Sequence, residues 1–355
     1  MFSHGVCRRT VRTVCAFAGT PMASHRSAVP IPLRPFGRHA DVHVSALGFG
    51  GHHLGDADDA PTAIRLVQDA VDGGMTFFDN CWEYHRGKTE DWMGRGLRGR
   101  RDRVFLMTKV CTHGREARLA YEMLGQSLRR FQTDHIDLWQ IHGVAFDNDP
   151  ELFIRPNGAA EALTRAKKEG LVRFVGFTGH RDPRLHLKML NIGFDWDAVQ
   201  MPLNPFDATF NSFETHVLPE LNRRGIAALG MKPLGGHGEA ITAGVCSAEE
   251  MLRYAMSLPV TTTISGVDKP DVLRQNLRVA QGFTPMAAAE MQALRDRVRP
   301  YAADGHFELY KLSLKFDNPE ARLAHDFPLD MQSVEVREMV KESINTGHPF
   351  PERTA

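Results

Sequence analysis

The feature that most constrains the fold of this chain is a regular alternation of two kinds of segment from residue 44 onward. A short apolar run rich in β-branched residues is followed by a polar or glycine-rich break, and then by a longer segment with helical apolar spacing. This unit occurs eight times. The strand-like runs are 44–50, 76–79, 104–109, 136–142, 173–178, 198–203, 226–232 and 261–266. The helical segments are 61–73, 89–97, 116–131, 158–169, 184–190, 212–223, 248–257 and 270–280.

This alternation predicts an α/β fold of parallel strands joined by crossover helices. Eight units of about 30 residues suit a closed (β/α)₈ TIM barrel of roughly 250 residues. A doubly wound open sheet is the competing architecture. It is disfavoured because the glycine-rich stretch at 48–55 does not have the spacing of a Gly-x-Gly-x-x-Gly turn, and no helical segment follows it directly. We therefore expect a barrel at 33–283 and a C-terminal helical or irregular extension at 284–355.

The first 32 residues differ in character from the barrel. The first forty residues contain six arginines and no acidic residue. We interpret segment 1–32 as a disordered tail or as the product of a start codon placed before a true start at Met22. An export signal or an organelle-targeting peptide is a third interpretation, although the apolar stretch after the first arginines is too short for an ordinary signal. The expected location is the cytoplasm.

The net charge and the cysteine spacing indicate which kinds of partner the protein is expected to bind. The 43 basic and 43 acidic residues give a formal net charge of zero, which argues against nucleic acid or an anionic membrane as the main partner. No apolar stretch approaches the roughly 20 residues needed to cross a bilayer. The five cysteines form no CxxC pair, so the sequence predicts no disulfide framework and no metal site. A small-molecule substrate is the expected partner, and the oligomeric state is left open.

Four polar residues fall at or just after the ends of the second, third and fourth strand-like runs. They are Asp79, Tyr84, Lys109 and His142. In a (β/α)₈ barrel the carboxyl ends of the strands form the active-site face, so these side chains are expected to converge. A tyrosine pKa near 10 is too high for efficient proton donation at neutral pH, and a nearby ammonium held by a carboxylate lowers it. The set predicts a proton donor for a carbonyl oxygen.

From about residue 33 to residue 281, the chain resembles the aldo-keto reductase family, whose members are (β/α)₈ barrels with an Asp, Tyr, Lys, His tetrad and a nicotinamide cofactor. The resemblance rests on residues 34–37 with 44–50, on 78–102, on Thr108-Lys109, and on Asp137-Leu138 with His142. It implies an NAD(P)H-dependent oxidoreductase that reversibly reduces an aldehyde, ketone or keto-sugar. Tyr84 would be the acid, Lys109 and Asp79 would tune it, and His142 would orient the carbonyl.

The resemblance also implies a cofactor site. Gln200 would contact the nicotinamide amide, together with Thr178-Gly179 where the family usually has Ser-Asn. The loop at 231–236 carries Met231 in place of a stacking tyrosine, in the manner of a branch that often has an iron–sulfur module whose cysteines this chain lacks. Asn276 would contact adenine. Because Val272 stands where an arginine often binds the 2′-phosphate, NADP(H) is favoured over NAD(H) only modestly. The full predicted set is Gly51, Thr178, Gly179, Gln200, Met231, Lys232, Pro233, Leu234, Ser265, Gly266, Lys269, Gln275 and Asn276.

The substrate walls are expected to come from the βα loops and the C-terminal extension. The predicted residues are His52, His53, Trp82 and Phe146, and the stretch at 310–317 is expected either to cross the barrel mouth or to pack beside it. His52 and His53 are not expected to bind a metal, because adjacent side chains in an extended segment point apart.

Two alternative functions remain open from the sequence. One is a nicotinamide-dependent lyase or epimerase. The other is a non-catalytic NADP(H)-binding regulatory or redox-sensor barrel.

Overall fold

A computed structural model describes residues 29–110, 115–236 and 238–312 of the chain. Ten strands are present in these ranges, in the order β1 to β10. Strands β1 and β2 form an antiparallel hairpin, and the other eight close into a parallel barrel in the order β10-β3-β4-β5-β6-β7-β8-β9. The predicted (β/α)₈ barrel is confirmed. The strands are Leu33–Phe36, His39–Ser45, Leu47–Gly50, Phe77–Asp79, Phe105–Val110, Ile136–Ile141, Val172–Thr178, Ala198–Pro202, Ala227–Met231 and Thr262–Gly266.

Seven of the eight predicted strands match the observed ones to within one residue at each end. The first prediction, 44–50, is wrong in extent because it joins the end of the hairpin to barrel strand β3. The chain bends between them at Ala46. The hydroxyl of the preceding Ser45 donates to the carbonyl of Leu47 at 2.7 Å and accepts from the Thr76 amide at 2.9 Å. This side-chain network competes with a continuous strand ladder.

The helices α1 to α13 surround the barrel and extend beyond it. Seven of the eight predicted helices are confirmed to within one residue at each end. The predicted helix 212–223 is two helices, α7 and α8, because Pro219 lacks the amide proton that a continuous helix needs. The sequence analysis missed α4, α9, α12 and α13. The helices are Ala60–Asp72, Lys88–Gly96, Ala117–Phe131, Asp149–Ile154, Ala159–Lys168, Pro183–Leu190, Phe213–His216, Leu218–Arg224, Glu239–Thr242, Ala248–Ser257, Pro270–Gln281, Ala288–Ala302 and Leu309–Leu312.

The amino-terminal end of the barrel is filled by aromatic side chains. Phe36 of the hairpin is fully buried, and its ring centroid lies 4.8 Å from that of Phe105 and 4.9 Å from that of Phe174. These rings join a cluster that includes Phe77 and Leu229. A second, larger apolar cluster lies between the strands and the helices. The barrel is thus closed at this end, which leaves the carboxyl ends of the strands as the accessible face.

Several sequence predictions concern residues outside the described ranges. These are most of segment 1–32, the start at Met22, Cys111, and residues 313–317 of the stretch expected near the barrel mouth. Of the C-terminal extension, the structure describes residues 284–312, which contain α12 and α13. No helix in the described ranges has the length and apolar character needed to cross a bilayer.

Candidate active site

The four predicted catalytic residues lie together at the carboxyl face of the barrel. Asp79 is the last residue of β4, Lys109 lies near the end of β5, and His142 directly follows β6. Tyr84 begins a 3₁₀ turn, Tyr84–Gly87, in the loop after β4. Because β4, β5 and β6 are neighbours in the barrel, three consecutive loops bring the four side chains to one place.

Lys109 is the centre of this group. Its ammonium forms an ion pair with the Asp79 carboxylate, and it donates hydrogen bonds to the Asn80 carbonyl at 2.8 Å and to the Tyr84 hydroxyl oxygen at 3.2 Å. The other Asp79 oxygen accepts from Gln200 Nε2 at 2.9 Å. Asp79 and Lys109 are almost completely buried, so the pair is shielded from water. Among the described residues, Lys109 is the one hydrogen-bond partner of the Tyr84 hydroxyl.

The electrostatics differ in one respect from the expectation. Burial raises the pKa of Tyr84, and the Lys109 ammonium lowers it by less than burial raises it, so the net direction is upward. Burial by itself lowers the pKa of Lys109, but the Asp79 carboxylate, together with the Tyr84 and Cys81 side chains, more than offsets this and the pKa is raised. The lysine is therefore a stable cation, and Tyr84 is fully protonated at neutral pH. A group that donates a proton must start in that state.

The loop that carries Tyr84 has an unusual backbone. His85, Arg86 and Gly87 all have positive φ values, of 47°, 58° and 86°. A Cβ on Gly87 would lie 2.2 Å from the Arg130 guanidinium carbon, so the position requires glycine. The loop is also held from beneath by Asn80, whose side-chain oxygen accepts from Thr89 Oγ1 at 2.8 Å. Two non-glycine residues in this conformation indicate a turn that tertiary contacts enforce.

His142 is positioned by two sets of contacts. Its Nδ1 lies 2.7 Å from a Glu83 carboxylate oxygen and 3.3 Å from Cys81 Sγ. Its carbonyl accepts from Arg115 at 2.8 Å, and Arg115 pairs with Asp149 at 2.7 Å. Both members of that ion pair are buried. The Tyr84 and His142 ring centroids are 5.9 Å apart.

The residues predicted to hold nicotinamide fit only in part. Gln200 is buried, and its amide oxygen accepts from Gln140 Nε2 at 3.2 Å while its nitrogen donates to Asp79. It therefore has a second role, as a support for the tetrad. Thr178 is buried next to it. A Cβ on Gly179 would lie 2.4 Å from the Val144 carbonyl oxygen, so residue 179 can offer only its backbone where the family usually has an asparagine side chain.

Asn276, the residue predicted to contact adenine, has a side-chain oxygen that can accept a hydrogen bond. Asn276 is fully buried, and its Nδ2 donates to Ser265 Oγ at 3.2 Å. Its Oδ1 is buried and has no hydrogen-bond partner among the described residues. A buried amide oxygen of this kind fits an exocyclic amino group such as that of adenine.

At Gly51 and Gly266, at the ends of β3 and β10, the backbone lies very close to neighbouring residues. A Cβ on Gly51 would lie 2.6 Å from the Asp79 carbonyl oxygen, and one on Gly266 would lie 2.1 Å from His53 Nδ1.

The remaining cofactor predictions lie in two loops. Met231 is the last residue of β9, and the turn that follows contains Lys232, Pro233 and Leu234, with Lys232 at a positive φ of 53°. The Lys232 ammonium lies 4.9 Å from the Tyr310 ring centroid, so this turn meets the C-terminal region. Lys269 is exposed and lies 3.8 Å from Asp268, and Gln275 is half-buried on α11.

The four predicted substrate residues occupy different places. His52 lies against Tyr84, with ring centroids 4.9 Å apart. Burial lowers the pKa of His52 to about 3, and neighbouring basic side chains contribute to this. His53 lies against Gly266, on the predicted adenosine side. Trp82 donates its indole N–H to Gln126 of α3 at 2.8 Å, so it faces the helix layer. Phe146 is buried in the loop after β6.

Sequence analysis missed the residues that support the site. Glu90 is buried and accepts from Thr108 at 2.6 Å and Ser127 at 2.8 Å, while Arg130 joins its other oxygen at 3.0 Å. Arg115 and Asp149 are a second case. The local sequence does not show whether a glutamate or an arginine on a helix is buried. Only the packing of α2 against α3 shows that Glu90 is buried and paired with Arg130.

A further set of buried polar residues lies at the same face of the barrel. Lys311 of α13 contacts Asp207 at 2.6 Å and Glu308 at 2.9 Å. The Tyr310 hydroxyl donates to Glu308 at 2.6 Å and accepts from Asn204 at 2.9 Å. Tyr310 also lies next to His180, whose Nδ1 is 3.0 Å from the Tyr310 carbonyl oxygen. We call Asn204, Asp207, Glu308, Tyr310 and Lys311 the C-terminal cluster.

Comparison with known proteins agrees with this geometry. Residues 46–240, more than half of the chain, match the Aldo/keto reductase family. The chain is 25% identical over 302 residues to the uncharacterized oxidoreductase YqkF of Bacillus subtilis, covering 73% of this chain and 94% of that protein. It is 27% identical over 227 residues to the 6-dehydroglucose reductase of Novosphingobium aromaticivorans, covering 59% and 72%.

Solved structures give the same fold. An aldo-keto reductase from Bacillus halodurans in its holo form superposes with a TM-score of 0.63 at 24% identity, covering 75% of this chain and 96% of that one. An aldo/keto reductase from Klebsiella pneumoniae, in complex with NADP and acetate, superposes with a TM-score of 0.61 at 22% identity, covering 75% and 94%.

Proposed function

This chain belongs to the aldo/keto reductase family of oxidoreductases, and on that premise we propose that it reduces the carbonyl of a small molecule to an alcohol, with Tyr84 as the proton donor. The observation that carries the proposal is the contact of one buried, ion-paired ammonium with one half-buried phenol. Lys109 donates to Tyr84 at 3.2 Å and is held by Asp79. The reaction is reversible, so the same phenol would act as the base in alcohol oxidation.

Each side chain has a distinct part in this reaction. Tyr84 donates its proton to the carbonyl oxygen as negative charge develops there. Lys109 stabilises the phenolate that remains, because its ammonium is already directed at the phenol oxygen. Asp79 keeps Lys109 charged and fixes its position. His142, held through Nδ1 by Glu83, orients the carbonyl for this transfer.

We propose that the electron donor is NADPH or NADH, with NADPH favoured. When bound, the nicotinamide supplies the hydride. Support comes from the vacant acceptor on Asn276 and from the close backbone approaches at Gly51 and Gly266. The family's NADP-bound structure from Klebsiella pneumoniae supports the same choice. Gln200 and the backbone at Gly179 would contact the nicotinamide amide. Lys232 and Lys269 are the cations available to a 2′-phosphate.

The proposal is tested by following NADPH and NADH oxidation with a panel of aldehydes, ketones and keto-sugars. Tyr84→Phe is expected to lower kcat by on the order of 10²- to 10⁴-fold, because it removes the acid and little else. Nicotinamide binding, measured by fluorescence titration, is expected to remain. Tyr254→Phe is the matched control, since it also removes one phenolic hydroxyl, here one that donates to Glu214 at 2.7 Å, and we expect it to keep turnover.

Three results would contradict the proposal. Turnover retained in Tyr84→Phe would remove Tyr84 as the donor. Cofactor binding without turnover of any compound would favour a regulatory nicotinamide-binding barrel. A wild-type protein that converts substrate without net cofactor oxidation would favour a lyase or epimerase.

A further inference from the structure

Three potential metal ligands of different chemistry meet beside the catalytic tyrosine. They are the Cys81 thiol, the Glu83 carboxylate and the His142 imidazole, and one ligand atom of each lies within 4.8 Å of the other two. Cys81 Sγ is 3.3 Å from His142 Nδ1, and Glu83 Oε1 is 2.7 Å from the same nitrogen. Two of the three come from one short segment after β4, Cys81-x-Glu83, and the third follows β6, which is separated from β4 by β5 in the barrel.

This arrangement does not suit a nucleophilic relay. A Cys-His-acid relay needs the thiol and the carboxylate on opposite ring nitrogens of the histidine, so that a proton can pass through the ring. Here both groups approach Nδ1. A single proton on Nδ1 can be shared with only one of them at good geometry, whereas a metal ion can bind all three atoms at once.

The ligand set selects zinc among the common divalent ions. Thiolate and imidazole favour Zn²⁺, whereas Mg²⁺ and Ca²⁺ prefer all-oxygen sites. Zn–S bonds are about 2.3 Å and Zn–N bonds about 2.0–2.1 Å, so ligand atoms in a tetrahedral site lie roughly 3–4 Å apart. The Cys81–His142 separation already falls in this range. The Glu83 separation needs to open by about half an ångström, which an exposed carboxylate can do.

The surroundings also permit a cation. The nearest ammonium, on Lys109, is already neutralised by Asp79. The Glu83 side chain is 40% exposed and that of His142 15% exposed, so an ion can enter from solvent. Cys81 is fully buried and forms the inner wall of the site. Its thiol lies 3.5 Å from the Lys109 carbonyl oxygen, to which it donates.

We propose that Cys81, Glu83 and His142 form a binding site for one zinc ion, with water as the fourth ligand. Binding forms bonds from the ion to Sγ, Nδ1 and Oε1. The thiol proton is released to solvent, and the neutral imidazole carries its one proton on Nε2, so that Nδ1 offers its lone pair to the ion. No electron transfer is involved. Because the ion would tie the Tyr84 loop to the end of β6 and capture His142, Zn²⁺ inhibits the reductase. This consequence for turnover rests on the proposed function, whereas the site itself does not.

The site is tested by titrating the chelator-treated full chain with Co²⁺. We expect one equivalent to give the near-ultraviolet charge-transfer band of a cobalt–thiolate bond, and Zn²⁺ to displace it, because Zn²⁺ binds such ligands more tightly. Cys81→Ser should abolish the band. Glu83→Gln should weaken Zn²⁺ binding by on the order of tenfold or more, the scale seen when even a residue supporting a metal ligand is lost. Cys246→Ser, a second buried free cysteine, is the matched control and should keep the band.

The possible results distinguish the proposed zinc site from the proposed role of His142 in turnover. Absence of a stoichiometric band in the wild type, or a band that survives in Cys81→Ser, overturns the zinc site. A stoichiometric, Cys81-dependent band with turnover unchanged by Zn²⁺ establishes the site and removes the role proposed for His142. Inhibition that a chelator reverses, and that Mg²⁺ does not produce, supports both.

Discussion

The carboxyl face of the barrel contains two buried groups that use the same three residue types. The catalytic group has Asp79, Lys109 and Tyr84, and the C-terminal cluster has Asp207, Lys311 and Tyr310. In the first, the phenol oxygen accepts a hydrogen bond from the lysine and its proton has no acceptor among the described residues. In the second, the phenol donates its proton to Glu308 at 2.6 Å.

The difference shows that residue type alone does not define a proton donor. Tyr84 is half-buried, whereas Tyr310 is only 6% exposed. Charge balance differs as well, because the catalytic group pairs one carboxylate with one ammonium, whereas the C-terminal cluster has two carboxylates for one ammonium. The first arrangement leaves a proton available to a substrate. The second holds α13 against the loop that follows β8.

The largest expected effects follow from replacing each of the two lysines. Replacing Lys109 should lower kcat, whereas replacing Lys311 should lower the unfolding free energy. Lys109→Met removes the cation that stabilises the phenolate, so kcat should fall by on the order of 10²-fold or more. Lys311→Met leaves the buried carboxylates of Asp207 and Glu308 without their cationic partner, which should cost about 3–5 kcal/mol of unfolding free energy. Steady-state kinetics and urea unfolding of both variants measure the two effects.

At a temperature where Lys311→Met is folded, we expect its kcat to remain close to the wild-type value. A kcat loss in Lys311→Met as large as that in Lys109→Met would break the comparison, because the C-terminal cluster would then take part in turnover. An unfolding free energy unchanged in Lys311→Met would show that the cluster does not hold α13.

The next effect is a pH dependence of stability that originates in the C-terminal cluster. Burial raises the pKa of Glu308 to about 7, while Lys311 opposes this and Asp207 adds to it. Burial also raises the pKa of Asp207. A carboxyl with a raised pKa in the folded state binds more protons when folded than when unfolded. Its contribution to stability is therefore complete below its unfolded pKa and is lost as the pH rises through about 7.

Between pH 5 and pH 8, the unfolding free energy of Glu308→Gln should fall by less than that of the wild type. The two decreases should differ by on the order of 1–3 kcal/mol. The amide oxygen can still accept from Tyr310 while the charge is gone. Urea unfolding at several pH values measures the difference. Parallel pH profiles for the two proteins would show that Glu308 does not titrate in this range.

The smallest effect is expected at an exposed ion pair, which sharpens the contrast with the buried groups. Arg118 and Glu122 of α3 lie 2.6 Å apart, and their side chains are 82% and 53% exposed. Arg118→Ala should change the unfolding free energy by only about 0.3–0.5 kcal/mol, because solvent screens the pair. A loss several times larger in thermal or urea unfolding would mean that exposure does not explain the difference between the pairs.

The sequence was a good guide wherever a local period sets the structure. Strand and helix bounds from the apolar pattern were confirmed at most units, and the ends of the second to fourth strand-like runs predicted which side chains would meet. The prediction was wrong where a side chain or a proline interrupts the period, as at Ser45 and Pro219. It was also incomplete for Gln200, which supports Asp79 in addition to its proposed cofactor role.

What the sequence by itself determined is the closed barrel and the convergence of Asp79, Tyr84, Lys109 and His142. This is so because parallel strands in one barrel must place their carboxyl ends on one face. Only the tertiary structure decided the direction of each phenol's hydrogen bond, the approach of Cys81 and Glu83 to His142, and the pairing of Lys311 with Asp207 across 104 residues of sequence. Such contacts depend on loop conformations, including the left-handed turn at His85–Gly87, and no periodic signal in the chain encodes them.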